Sequence, residues 1–159
     1  MGGRLAKEIR QNKPFQSREE EALLNLGRTY ESLQQRMAGL LRSHQLTPTQ
    51  YNMLRILRGA APQGLTCSQA TERMLSPDPD ITRLLDRMEA RGLISRDRTE
   101  EDRRVVITRI TDRGLELTKQ IDVPLHHLLK QCLGRVGQQR LKELIDVLEA
   151  LRDPLPEAQ

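Results

Sequence analysis

The alternation of apolar and polar positions divides the chain into helical stretches around one short β segment. Leu23, Leu26, Tyr30, Leu33, Met37 and Leu40 recur three or four residues apart, which predicts a long helix with a narrow seam of the kind that two helices bury against each other. Ser17-Arg18-Glu19-Glu20 supplies a capping box at its start. Thr47-Pro48-Thr49-Gln50 opens a second helix with proline at the first helical position; Tyr51, Leu54 and Leu57 face inward until Gly59 stops it. A third, short helix starts at Thr66-Cys67-Ser68-Gln69 and runs through Met74, and Ser76-Pro77 turns the chain into a fourth. There Ile81, Leu84, Leu85 and Met88 fall at i, i+3, i+4 and i+7, which leaves Thr82, Arg83, Asp86, Arg87 and Ala90 off the apolar face.

Two helices joined by a short turn make a helix-turn-helix. Gly92 suits the left-handed position that ends the fourth helix, and Leu93-Ile94 and Val105-Val106-Ile107 predict strands on either side of an Arg-rich loop, a β-hairpin wing. Thr111 caps a further long helix with Thr118, Ile121, Leu125, Leu128 and Cys132 at seam spacing, and Pro124 predicts a kink over residues 120–124. Gly134 and Gly137 end it. A last helix from Gln138 to Arg152 aligns Leu141, Leu144, Ile145, Leu148 and Leu151. The fold class is mainly α with a small β-hairpin wing. The chain reads as a flexible N-terminal arm (1–16), an N-terminal dimerisation helix (17–46), a winged helix-turn-helix region (47–110), C-terminal dimerisation helices (111–153) and a tail (154–159).

Composition sharpens this picture in three ways. A chain of 159 residues suits one cored domain with dimerisation elements. The net charge of +4 is modest, but between Arg91 and Arg113 seven arginines face five acids, so the positive excess centres on the wing, where nucleic acid would lie. No apolar run approaches the roughly 18 residues of a membrane span, and the N-terminus has no secretory apolar stretch, so a cytoplasmic protein without membrane contact is expected. Cys67 and Cys132 suit reduced thiols. Three histidines, with no paired carboxylate in an apolar setting, no glycine-rich phosphate loop and no zinc spacing, offer nothing for catalysis, a cofactor or a metal site. His126 and His127 are adjacent, so on a helix they point about 100° apart.

The segments LTPTQYNMLRIL, ITRLLDRMEARGLISR and EEDRRVVITRITDRG, in this order, resemble the MarR family of bacterial and archaeal transcriptional regulators, over about Arg18 to Arg152. The resemblance implies a winged-helix homodimer that puts its recognition helix in the major groove of double-stranded DNA and its wing in the adjacent minor groove. The expected function is a sequence-specific transcriptional regulator, a repressor on a pseudo-palindromic operator, with release by a small-molecule effector as a further expectation. The alternative is a winged-helix adaptor that has lost DNA binding, to which Asp78, Asp80 and the small net charge would point.

On the recognition helix, Asp80, Thr82, Arg83 and Arg87 would face DNA. Arg83 is assigned a base contact, since a guanidinium bonds guanine in two places, with phosphate binding alone as the other reading. Asp78 and Asp80 are expected to cap the helix, with cytosine recognition as the alternative. Asp102-Arg103-Arg104 matches the family's Asp-x-Arg pattern, which implies Arg104 in the narrow minor groove supported by Asp102; an ordinary hairpin ion pair is the plainer reading. Arg98, Arg103, Thr66 and Ser68 would anchor phosphates. Effector-lining candidates are Tyr30, Met37, His44 and Tyr51, residues that otherwise read as core or, for His44, as a helix cap. Leu23, Leu26, Leu125, Leu128, Leu144 and Leu148 are the expected dimer contacts. Cys67, in a first helical turn where the dipole favours an anion, is either a redox switch or a structural thiol.

Overall fold

The computed structural model describes residues 3–76, 78–99, 102 and 104–154. Seven helices and three strands follow one another there as α1 (Arg4–Glu8), α2 (Arg18–Arg42), α3 (Pro48–Gly59), β1 (Leu65–Thr66), α4 (Cys67–Glu72), α5 (Ile81–Ala90), β2 (Ile94–Arg98), β3 (Val106–Ile110), α6 (Asp112–Leu133) and α7 (Gln138–Ala150). A 3-10 turn at Gly134–Val136 links the last two helices.

Helix starts follow the capping residues. The Ser17 hydroxyl accepts the Glu20 backbone N–H at 3.1 Å, while the Glu20 carboxylate accepts from Gln16, one residue earlier than a closed capping box requires. Thr47 and Gln50 form the full reciprocal box at α3, as do Thr66 and Gln69 at α4. The α4 helix stops at Glu72, two residues short of the predicted Met74. Residues 4–8, expected within a flexible arm, instead form α1. A five-residue helix does not hold itself together in water; here Leu5 is buried, and Glu8 accepts from Arg4 at 2.7 Å and lies 3.8 Å from Arg28 on α2.

The predicted hairpin gains a third strand. The antiparallel sheet has the order β1-β3-β2, with Leu65 opposite Thr108, Ile94 opposite Ile110 and Arg98 opposite Val106. Because β1 leads straight into α4, the wing is tied to the helix-turn-helix by backbone hydrogen bonds as well as by the chain.

The core gathers Leu41 from α2, Met53, Leu54 and Leu57 from α3, Met88 from α5, Leu93 beside β2 and Ile121 from α6. Leu41 lies off the seam predicted for α2. Only the C-terminal end of that helix meets the core, so the seam residues Leu23 and Tyr30 are 69% and 53% exposed. Helix α6 continues through Pro124, which removes one backbone donor from its interior. No residue of α7 is buried. Among the described residues no helix is long and apolar enough to cross a membrane.

Candidate nucleic-acid interface

Helix α5 is held by Leu84, Leu85 and Met88, all buried, and this packing turns Thr82, Arg83 and Arg87 outward. Its N-terminus differs from expectation. Asp80 occupies the N-cap position with φ −119° and ψ 38° and makes no side-chain capping bond. A capping carboxylate needs extended backbone to reach the amides of the first turn, and this ψ does not provide it. Asp78 Oδ1 instead accepts the Asp80 N–H at 2.8 Å, and Asp80 Oδ2 lies 3.5 Å from Arg83 Nη1. An exposed pair of this kind is worth at most about 1 kcal/mol, so Arg83 can exchange the carboxylate for a nucleic-acid acceptor at little cost.

At the other end Gly92 (φ +67°) makes a left-handed cap, with its N–H on the Glu89 carbonyl at 2.7 Å and the Leu93 N–H on Met88 at 3.0 Å. Next to it the Arg91 guanidinium donates to the Gln45 carbonyl at 2.6 Å, joining the end of α5 to the turn after α2.

In the wing, Thr99 and Asp102 are bonded to each other. Thr99 Oγ1 donates to the Asp102 carbonyl at 2.7 Å and accepts the Asp102 N–H at 3.1 Å. The Val105 N–H reaches the same carbonyl at 2.9 Å. Asp102 Oδ1 accepts the backbone N–H of Arg104 at 2.9 Å. The two residues therefore meet through the Arg104 main chain, neither as a carboxylate steadying a guanidinium nor as a hairpin ion pair, because a short aspartate side chain bonds the backbone amide two residues on more readily than a distant guanidinium. Arg98 and Arg104 are exposed; Arg103 lies outside the described residues.

Not all of the wing's charge faces outward. Arg96 Nη2 sits 2.6 Å from Asp86 Oδ1 and 2.5 Å from Glu89 Oε2, and its Nε is 3.0 Å from the same Glu89 oxygen. These bonds hold the guanidinium pKa above its ordinary value. Arg109 pairs with Asp97 at 3.6 Å. At the start of α4, Thr66 spends its acceptor on the Gln69 amide at 3.2 Å, and Ser68 Oγ donates to Glu72 at 3.3 Å.

Between α2, α3, α6 and the segment that leads into α5 lies a cleft of about 620 Å³ that brings together Tyr30, Met37 and Tyr51 with Met74, Leu125 and Leu129. His44 is not part of its lining: it sits in the turn after α2, where its backbone N–H bonds the Leu41 carbonyl at 3.0 Å. Burial, reinforced by Asp122 and opposed by Arg58 and Arg55, raises the Tyr51 pKa above its ordinary value. The Asn52 amide donates to Met74 Sδ at 3.5 Å, and its Oδ1 is buried without a partner. Leu125, expected between protomers, packs against the core of its own chain and, with Leu129 one helical turn on, lines this cleft. Leu128 and Leu148 are half-buried, and Leu23, Leu26 and Leu144 are exposed. Both cysteines are free and half-buried; Cys67 packs on the core, and Cys132 borders a polar cleft with Arg28, Arg36 and Arg135.

Residues 44–105 match the profile of the MarR family. A curated HTH-type transcriptional regulator of Bacillus subtilis strain 168, YdgJ, is 34% identical over 73 residues, a stretch that is 46% of this chain and 44% of that protein, so the match takes in under half of its length. Among solved structures, a MarR transcription factor from Planctomyces limnophilus is 39% identical, with 86% of this chain and 98% of that chain covered and a TM-score of 0.67. The PcaV transcriptional regulator from Streptomyces coelicolor, solved in complex with its natural ligand, is 26% identical over 80% of this chain and 91% of that one, with a TM-score of 0.66.

Proposed function

Because the chain belongs to the MarR family of winged-helix, DNA-binding transcription regulators, we propose that it is a repressor that binds a pseudo-palindromic operator as a homodimer. The observation that carries this reading is α5 itself, a helix fixed by three buried apolar residues with Thr82, Arg83 and Arg87 exposed along its outer side. Arg83 and Thr82 read base edges in the major groove, Arg87, Arg98 and Thr66 hold phosphates, and Arg104 enters the minor groove from the wing tip. Ser68 and Arg103 supplement the phosphate contacts. A two-fold dimer sets its recognition helices about 34 Å apart, one turn of B-DNA.

The apolar residues that α2 and α7 leave in solvent support dimerisation through the chain's two ends. Leu23, Ile145 and Leu151 are 69%, 52% and 65% exposed, an arrangement that a second copy would cover. The cleft between α2, α3 and α6 supports an effector site, since its lining includes Asp78 and Pro79, the residues that lead into the recognition helix. An occupant that fits one spacing of the two recognition helices better than the other shifts DNA affinity.

The test is fluorescence anisotropy of the purified protein against DNA from its own upstream region and a scrambled control, at two salt concentrations. Tight binding to the first alone supports the regulator. Equal, salt-sensitive binding to both would overturn sequence-specific repression at that site.

A further inference from the structure

We infer that Arg96 is a positioning residue for DNA reading: as a clamp between the wing and the recognition helix, it makes the two elements that enter different grooves move as one body. The inference rests on the proposed DNA-binding function and assigns Arg96 a task other than touching DNA.

Arg96 lies in the middle of β2, paired with Thr108 of β3. Its guanidinium turns back from the wing to α5, where Asp86 and Glu89 stand three residues apart and so on one side of the helix. Its side chain is only 25% exposed. Three donor contacts to two carboxylates use the fork of the guanidinium, a geometry that a lysine ammonium cannot reproduce. Arg83 and Arg104, the two residues assigned to base and minor-groove contacts, sit on opposite sides of this clamp, one on α5 and the other beyond β2 at the wing tip. Beyond the clamp, α5 and the wing are joined through the turn at Arg91 to Leu93, the shared core, the β1–β3 pairing and the Thr111 bonds to Gly92 and Leu93; Arg96 adds side-chain bonds that run directly from the middle of β2 to α5.

The same bonds fix where charge is presented. With Arg96 in place, its charge offsets one of the two negative charges of Asp86 and Glu89; with it gone, two unpaired carboxylates on the recognition helix would face the approaching phosphates. A charge-conserving substitution separates positioning from this effect.

The test compares wild type with Arg96→Lys against an operator obtained by selecting a random DNA library with the wild-type protein, and against scrambled DNA. The clamp predicts that the operator-to-scrambled affinity ratio falls about tenfold, the discrimination carried by roughly one base pair, while affinity for scrambled DNA and its salt slope stay unchanged. Because the lysine keeps the charge, an equal fall in affinity for both DNAs would make Arg96 a phosphate ligand, and an unchanged ratio with unchanged affinities would make the bonds structural only; either overturns the inference. Charge reversal by Arg96→Glu with Glu89→Arg should recover part of the ratio that Arg96→Glu alone loses. Amide hydrogen exchange tests the clamp without DNA: in Arg96→Lys, exchange should quicken together in Ile94 to Arg98 and in the last turn of α5, and unchanged exchange there would overturn the clamp even if the wild type shows no sequence preference.

Discussion

The carbonyl oxygen of Leu93 occupies the place where Gly114 would carry a Cβ, and Ile110 Cγ1 lies only 2.7 Å from that same position. The first turn of α6 is pressed against the junction of recognition helix and wing, where the Thr111 hydroxyl also donates to the Gly92 carbonyl at 2.7 Å and its N–H bonds Leu93 at 3.1 Å. Gly114→Ala therefore forces backbone apart. Thermal unfolding should show a loss of about 1–3 kcal/mol, although no DNA-facing side chain is touched, and an unchanged Tm would show that the junction yields freely.

Arg104→Ala should weaken operator binding by about 1–3 kcal/mol and leave the oligomeric state as it was. Asp102→Ala, which removes only the acceptor for the Arg104 backbone N–H, should cost about 1 kcal/mol. Anisotropy titrations of both variants measure this; full affinity in Arg104→Ala removes the wing from the DNA contact.

Leu23→Asp and Ile145→Asp place a charge where the exposed ends of α2 and α7 would meet a second copy. Burying an unpaired carboxylate costs about 3–5 kcal/mol, so sedimentation velocity at micromolar concentration should find monomers, with operator binding lost in parallel. A variant that stays dimeric would move the interface elsewhere.

Tyr51 gives a pH dependence with a definite sign. Its pKa is raised above the ordinary value of 10.0, first by burial and then by Asp122. Between the unfolded and folded values the folded chain holds the phenol proton that the unfolded chain has released, so the stabilisation is complete below about pH 10 and is lost as pH rises through the folded pKa. Urea melts at about pH 9 and about pH 11 should show a decline in the wild type that Tyr51→Phe lessens. Equal declines in both proteins would assign the alkaline loss to other groups.

Much of the fold is legible in the sequence because helix starts are local. Ser17, Thr47, Thr66 and Thr111 each sit beside the amides they cap, and Ile81, Leu84, Leu85 and Met88 show by spacing alone which side of α5 is buried. Strand β1 is not legible: two residues carry no alternation, and only their pairing with Ile107 and Thr108 makes them a strand. The narrow seam of α2 is only half informative, since periodicity reports an apolar side and not whether the cover comes from the same chain. Among site residues, Arg83 and Arg87 follow from the helix period. The engagement of Arg96 with Asp86 and Glu89 does not, because those partners lie ten and seven residues away in a different element. His44 illustrates a further limit: proximity in sequence to Met37 and Tyr51 does not carry it past the turn that closes α2 and into the cleft.

The hydrogen bond from Arg91 to the Gln45 carbonyl gives the molecule a lever with unequal arms. Helix α2 has 25 residues, about 37 Å at 1.5 Å per residue, and its exposed seam lies toward the far end from this bond. A sideways slip of roughly 3 Å at that end corresponds to a rotation of only about 5° at the elbow, where Gln45 stands with φ +55°. In the proposed dimer, a slip at that far end would reach α5 only as a fine change in its aim, passed on through the same end of α2 that seats Leu41 in the core.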